Sequence, residues 1–355
     1  MSLKIKVLQA SHGDAVIVET CVNDDSFRIL IDGGPPECFQ RVQGWKVIPG
    51  PLRQALDELA GNEERFDLTI LTHVDDDHIG GLLAACRHEK YRPIIAQDVW
   101  FNSGRLISQA IGEGSAPIDS DIIIKNSSDR MTSISQGVSF DDLLNEHCSV
   151  PRKVIMAGAK IPFKHGKITI LSPTEDQLRC LLKKWEKEKP DSLTSASQTD
   201  YHFTMEELRV NDTFTEDSSV HNASSIAILI EVGGTKAVFL GDALPSVVCH
   251  TLRHKLGVSE ERPLKVAVCK LSHHGSKANT NDELLSLIQS EKFIVSTNGL
   301  RHGLPNKATL ARIEKKAPQS EVFFNYPTAR ERVFPNKVER EYAVNMKDLE
   351  GDLIL

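Results

Sequence analysis

Short apolar runs separated by turn signals open the chain. KIKVLQA, AVIVET and FRILID read as three strands, with HGD and VNDDS as tight connections. PLRQALDELAG carries its apolar residues at helical spacing, and Gly61 is placed to stop it. DLTILT is a buried strand, and IGGLLAACRHEK behind it is a helix. The middle is less regular. IIAQDVWFN reads as a strand, SISQGVSFDDLLNEH as a helix, AKIPFKHGKITILSP as a hairpin turning at Gly166, and EDQLRCLLKKWEKEK as an amphipathic helix. DSLTSASQTDYHFTMEELRVNDTFTEDSS is polar and lacks apolar periodicity, so it reads as a long surface loop or a partly disordered segment. In the last third SSIAILIEV and KAVFLGDA make a hairpin around GGT. LPSVVCHTLRHKLG, NDELLSLIQS and KATLARIEKKA are helices there, and LKVAVCKLS, FIVSTN and EVFFNY are strands. Two β-rich halves with helices following strands flank a variable middle, and no internal repeat or coiled coil appears.

A chain of 355 residues suits one large domain with an insertion, or two domains. Its composition, 40% hydrophobic and 26% charged, is that of an ordinary soluble globular protein. The longest apolar runs are too short to span a membrane, and the N-terminal stretch begins as a strand without the apolar core of a signal peptide. Seven cysteines, an odd number with no CxxC pair, look like reduced thiols of a cytoplasmic protein. A formal net charge of −7 argues mildly against a surface devoted to coating nucleic acid. It leaves a nuclease open, because bound cations would reverse the charge at the site.

Candidate chemistry gathers at strand ends. In LTHVDDDHIGG, residues 71–81, the ligand types His73, Asp75, Asp77 and His78 lie on a turn leaving a buried strand. Asp76, between the two acidic ligands, faces outward or caps the next helix. Asp32 in RILIDGG and Asp242 in KAVFLGDA each follow a strand. His273 and His274 lie in LSHHGS, and His221 precedes the strand SSIAILI. An Asp-Gly after a strand is by itself usually a turn, and a lone loop histidine is usually solvated. Four strand ends carrying ligand types in one chain point instead to a shared metal site.

The order Asp-Gly, HxHxDH, His, Gly-Asp, His resembles that of the metallo-β-lactamase-fold hydrolases. Within them the chain is similar to the soluble hydrolase (nuclease) domain of ComEC-type DNA-uptake proteins and its free-standing relatives. HGDA at 12–15, HIGG, the NxxS of Asn222 to Ser225, FLGDA, KLSHHGS and GLP at 303–305 carry that similarity. The resemblance covers roughly residues 1–330. It implies an α/β protein, a four-layer αββα sandwich with an elaborated middle insertion. Residues 1–335 would form the hydrolase domain, 92–220 a variable, substrate-facing insertion, and 336–355 a C-terminal strand or tail. It also implies two divalent metal ions, zinc or manganese. One would take His73, Asp75 and His221, the other Asp77, His78 and His273, with Asp242 bridging. Asp77, Asp242, His274 and Asp32 are then the catalytic candidates, and Asn222, Ser276 and His302 the substrate-binding ones. The choice between His273 and His274 as ligand is open from sequence. His273 is preferred as nearer the strand end, which leaves His274 to donate to a phosphate or a leaving oxygen.

The chain departs from the pattern twice. Asp75 stands where the family has a second histidine, an oxygen donor that favours harder ions such as manganese. RHGLP replaces GHP, so His302 lies two residues before the expected position, at Leu304. The activity implied is that of a phosphodiesterase or nuclease using a metal-bridged hydroxide, acting on DNA or RNA with no membrane. The alternatives are hydrolysis of a small phosphodiester or ester, such as a phosphocholine ester, a cyclic nucleotide or a lactone, or a non-catalytic regulatory module. Lys160, Lys164, Lys167, Lys270, Lys277, Arg301 and Lys307 could line a groove. Trp100, Phe101 and Tyr201 could stack on bases, although packing is the expectation for Trp100.

Overall fold

The computed structural model describes residues 2–112, 133–185 and 199–355, apart from 337, 338, 341, 342 and 344. Its strands are β1 (Ser2–Val7), β2 (Val16–Val22), β3 (Asp25–Ile31), β4 (Gln40–Gln43), β5 (Lys46–Pro49), β6 (Leu68–Ile70), β7 (Val99–Trp100), β8 (Lys160–Phe163), β9 (Gly166–Ser172), β10 (Ala227–Val232), β11 (Thr235–Phe239), β12 (Leu264–Lys270), β13 (Ile288–Val295), β14 (Glu321–Phe324), β15 (Met346–Asp348) and β16 (Leu353–Ile354). They form a six-stranded sheet ordered β16-β1-β2-β3-β6-β7, an eight-stranded sheet ordered β15-β14-β13-β12-β11-β10-β9-β8, and the separate ribbon β4-β5.

Alternation along the strands makes four layers. Leu3, Ile5, Val16, Val18, Ile29 and Ile31 of the first sheet meet Ile168, Ile170, Ile228, Ile230 and Phe239 of the second in one buried core. The opposite face of each sheet packs on helices through its own core. Leu52, Leu56, Ile79, Leu82 and Phe140 lie in one, and Val248, Leu252, Leu285, Leu310 and Ile313 in the other. The arrangement is the αββα sandwich expected, because each sheet buries apolar residues on both faces.

The stretch 92–220 is woven into this frame. It supplies β7 at one edge of the first sheet and β8–β9 at one edge of the second. The C-terminal residues join both sheets, β15 alongside β14 and β16 alongside β1.

Two sequence expectations need correction, and one feature had none. IIAQDVWFN is a short helix, Arg92–Ile95, followed by the two-residue β7. The polar stretch after Trp185 is not simply a loop, although 186–198 lies outside the described residues. The helix Met205–Val210 begins with a Thr204–Glu207 capping box. Asp200 accepts from the backbone N–H groups of Lys307 and Ala308, and Asp212 takes a bidentate pair from the buried Arg312. This segment is pinned by charged hydrogen bonds, which leave no apolar period to read. Lastly, the ribbon β4-β5 and the helix Pro36–Phe39 before it carried no sequence expectation.

Parallel pairing places the site. β3 runs parallel to β6, and β11, β12 and β13 run parallel in the other sheet. Their C-terminal ends therefore open along one edge of the sandwich, where ligands bind in open α/β sheets. Glycines let the backbone close in at this edge. A Cβ on Gly13 would stand 1.9 Å from the Asp77 carbonyl oxygen, and one on Gly81 would stand 2.0 Å from that of Gly33. HGDA, IDGG and HIGG are thus interlocking surfaces around the start of the helix Asp76–Cys86.

Candidate metal centre

Asp32 follows β3 directly with φ +59° and is fully buried. Its carboxylate accepts from the Thr72 backbone N–H (2.7 Å), the Thr72 hydroxyl (2.8 Å) and His78 Nδ1 (2.8 Å). The Thr72 hydroxyl spends its single hydrogen on Asp32, so it accepts from His73 Nδ1 at 3.0 Å. His221 Nδ1 donates to Asp75 at 2.7 Å, and His274 Nδ1 donates to the Ser296 carbonyl at 2.9 Å. Four imidazoles are thus held by acceptors at Nδ1, which leaves Nε2 of His73, His78 and His221 without a hydrogen-bond partner and turns His274 Nε2 to Asp77.

Those nitrogens face the carboxylates. Asp242 lies between two of them, with Oδ1 3.5 Å from His78 Nε2 and Oδ2 3.7 Å from His73 Nε2. Asp77 Oδ2 lies 3.2 Å from His274 Nε2 and 3.9 Å from His78 Nε2. Asp75 turns one oxygen to His221 and holds the other 3.7 Å from His73 Nε2. Two ligand groups result, His73–His78–Asp242 and Asp77–His78–His274, each with its ligand atoms within 4.8 Å of one another. Asp14, Asp32 and His78 also meet that distance. However, Asp14 is paired with Lys270 and Asp32 is saturated, so that group supports the site from behind.

The donor set fits metal ions. Nε2 of His73, His78 and His221 and Oδ1 of Asp242 are buried without a hydrogen-bond partner. One such atom costs roughly 1–3 kcal/mol, so the three that converge, on His73, His78 and Asp242, are costly together unless a cation fills the space between them. Charge points the same way. Burial by itself raises a carboxylate, but nearby imidazoles outweigh it and hold Asp242 well below its ordinary range and Asp77 at about 2. Burial by itself lowers an imidazole, but Asp242, Asp32 and Asp77 lift His78 well above its usual value. Asp14 and Asp242 lift His274 to about 9. Without a metal, protons supply the compensating charge, so metal and protons compete for the same atoms.

The other candidates take different places. His273 is part-exposed; its Nδ1 donates to Asn279 Oδ1 at 3.0 Å, and its Nε2 is 3.8 Å from Asp242 Oδ2. Both His273 and His274 adopt positive φ, +46° and +55°, a strained pair of the kind found at functional turns. Asn222 donates to Asp217 at 2.6 Å, which positions the His273 side of the site. Ser276 closes the HHGS turn through its backbone N–H to the His273 carbonyl at 2.9 Å. His302 is exposed on the following loop, whose Pro305 packs against Gly275. Asp76 turns away and accepts from Gln136 at 2.6 Å.

The basic and aromatic groove candidates are mostly used elsewhere. Lys270 is buried and paired with Asp14, and Lys307 is buried and paired with Glu339. Lys164 pairs with Asp25, and Lys167 with Glu231. Trp100 and Phe101 are core residues, and Tyr201 packs against the second sheet's outer core. Sequence reasoning assigned no role to Asp14, Thr72, Asp217 or Asn279. A lysine ending the apolar strand LKVAVCK was a signal for Asp14, since a buried lysine needs a partner.

Residues 9–130 match the sequence model of the metallo-beta-lactamase superfamily, and this stretch contains Asp32 and the whole 73–78 motif. The chain has the metallo-β-lactamase fold. No curated protein matches it in sequence. Among solved structures it is similar to the metallo-β-lactamase-fold protein YhfI from Bacillus subtilis, at 11% identity and TM-score 0.42 over 100% of this chain and 98% of that one. It is also similar to Zn(2+)-bound PqqB from Methylobacterium extorquens, at 11% identity and TM-score 0.43 over 99% of each chain. A third is CmlA, a diiron β-hydroxylase from Streptomyces venezuelae, at 10% identity and TM-score 0.43. That match covers 100% of this chain and 54% of CmlA, so the chain spans about half of CmlA's length. In this metallo-β-lactamase fold the Asp32–Thr72 network stands behind the free Nε2 atoms of His73 and His78.

Proposed function

We propose that this protein is a metal-dependent phosphodiesterase, and in its most specific form a nuclease. The observation that carries the metal reading is the convergence of two unpartnered, buried Nε2 atoms, those of His73 and His78, on the carboxylate of Asp242. His73, Asp75 and His221 would hold one ion, Asp77, His78 and His274 the other, and Asp242 would serve both. This exchanges the roles first given to His273 and His274. His274 is fixed at Nδ1 by the Ser296 carbonyl, and its Nε2 lies beside Asp77, where an ion could replace the proton between them. Bound divalent ions would supply Lewis-acid stabilisation of charge on a phosphoryl group and a more acidic water.

Side chains around the ligands do the rest. His273, anchored at Nδ1 by Asn279 and open to solvent, holds a proton at Nε2 for the leaving oxygen. Asp242 and Asp217 raise its pKa against the effect of burial. Arg301 supports an anionic substrate. Its guanidinium donates to His12 Nε2 at 3.3 Å, and among the described residues it has no carboxylate partner. Burial lowers His12 to about 4, so it accepts this bond as a neutral ring. An unpaired cation at the rim of an acidic site suits a phosphate.

The test incubates the protein with bis(p-nitrophenyl) phosphate and with labelled single-stranded, linear and circular DNA, in manganese and separately in zinc. An Asp242→Ala variant runs alongside. Cleavage by the wild type, lost in the variant, supports the reading. Absence of cleavage with every metal, or equal cleavage by the variant, overturns it.

A further inference from the structure

The ribbon β4-β5 is the most exposed apolar feature among the described residues. Gly44 takes φ +61° at the first position of its two-residue loop, and Trp45, the second, is fully exposed. Val42 pairs with Val47 across the ribbon, and both are more than half exposed. Arg41 and Lys46 are exposed too, and among the described residues neither has a carboxylate partner. The other tryptophans, Trp100 and Trp185, are buried.

The arm stands next to the candidate metal centre. Its base closes where the Gly50 N–H donates to the Phe39 carbonyl at 2.8 Å. Phe39 ends the helix Pro36–Phe39, and Pro36 lies against Gly80, two residues past His78. Strands of four residues reach about 13 Å from that base.

We propose that this arm is a docking site for single-stranded nucleic acid, with Trp45 stacking on a base and Arg41 and Lys46 meeting phosphates. The inference rests on the phosphodiesterase reading and names its substrate class. Charge complementarity selects this occupant. From Cys38 to Leu56 the chain has Arg41, Lys46 and Arg53 and no acidic residue, although its formal net charge is −7. A protein interface buries about 800 Å² on each partner and is apolar at its centre. Two valines and one tryptophan interleaved with cations offer too little of that. An aromatic ring with open faces between cations is the arrangement that binds single strands without sequence preference.

The experiment uses the full chain, loaded with manganese, and a phosphorothioate-linked oligothymidine that resists cleavage. Trp45 is the exposed fluorophore, so the oligonucleotide should quench tryptophan emission. Binding followed by anisotropy of a labelled oligonucleotide should weaken about ten-fold in Trp45→Ala and little in Trp45→Phe. Arg41→Ala with Lys46→Ala should flatten the salt dependence of affinity. Trp45→Ala should leave hydrolysis of bis(p-nitrophenyl) phosphate unchanged. Equal oligonucleotide affinity in wild type and Trp45→Ala overturns the proposal. So does preference for duplex over single strand, or self-association by sedimentation that Trp45→Ala abolishes. Loss of bis(p-nitrophenyl) phosphate hydrolysis in the wild type with intact oligonucleotide binding would overturn the catalytic reading and leave the arm standing.

Discussion

Asp32→Asn isolates what the buried network contributes to metal binding. Asparagine tolerates the φ of +59° at this position, so the backbone is not the variable. The carboxylate accepts three hydrogen bonds, two of them on Oδ2. An amide has one oxygen. If it stays on the Thr72 N–H, the NH₂ group points at His78 Nδ1, and two donors face each other. His78 relieves this by giving up its Nδ1 proton and keeping one on Nε2, the atom that would ligate. Loss of such a carboxylate–histidine contact typically costs 10- to 100-fold in metal affinity, or about 1.4–2.7 kcal/mol. Folding stability should fall by a comparable amount, roughly 1.5–3 kcal/mol for a charge-assisted bond. Competition against a chromophoric chelator would give the affinity, and ¹⁵N NMR of the imidazoles in metal-free protein would give the tautomer. Wild-type affinity together with a protonated Nδ1 on His78 in the variant would refute the reasoning.

Other outcomes follow from the same geometry. Lys270→Met removes the buried cation paired with Asp14 and leaves it only His274 Nδ1, 3.3 Å away, so it should cost about 3–5 kcal/mol by chemical denaturation, and adding Asp14→Asn should recover part of it. Gly13→Ala places a methyl group against the Asp77 carbonyl, so calorimetry should show a lower Tm and the chelator competition weaker metal binding. In metal-free protein, burial and the carboxylates together set His274 at about 9, above its unfolded value near 6.5. The stability from that shift is fully present below pH 6.5 and lost as pH rises toward 9. Thermal melts of the chelated protein should therefore fall across that window, and the metal-loaded protein should bind its ions more weakly as pH drops.

Much of this protein is legible from its residues alone. Period-two and period-3.6 apolar patterns located β1–β3, β9–β14 and the helices between them, because each element buries one or two faces and its sequence must alternate accordingly. Ligand types at strand ends pointed to the candidate site, since parallel strands of a layered sheet deliver their C-terminal ends to one edge. Where a residue is held by polar partners, periodicity gives no signal. The segment around Asp200 and Asp212 therefore read as loose, yet Lys307 and Arg312, about a hundred residues away, fix it in place. Which histidine of His273–His274 faces Asp77 was also beyond the sequence. Two adjacent residues on a strained turn point to opposite sides, and only the Ser296 carbonyl and Asn279, from other elements, decide which side each takes. Sequence thus determined which atoms could ligate. The tertiary structure decided which of them do the orienting and which are left free, because a hydrogen bond at Nδ1 from a distant strand is what turns Nε2 toward the site.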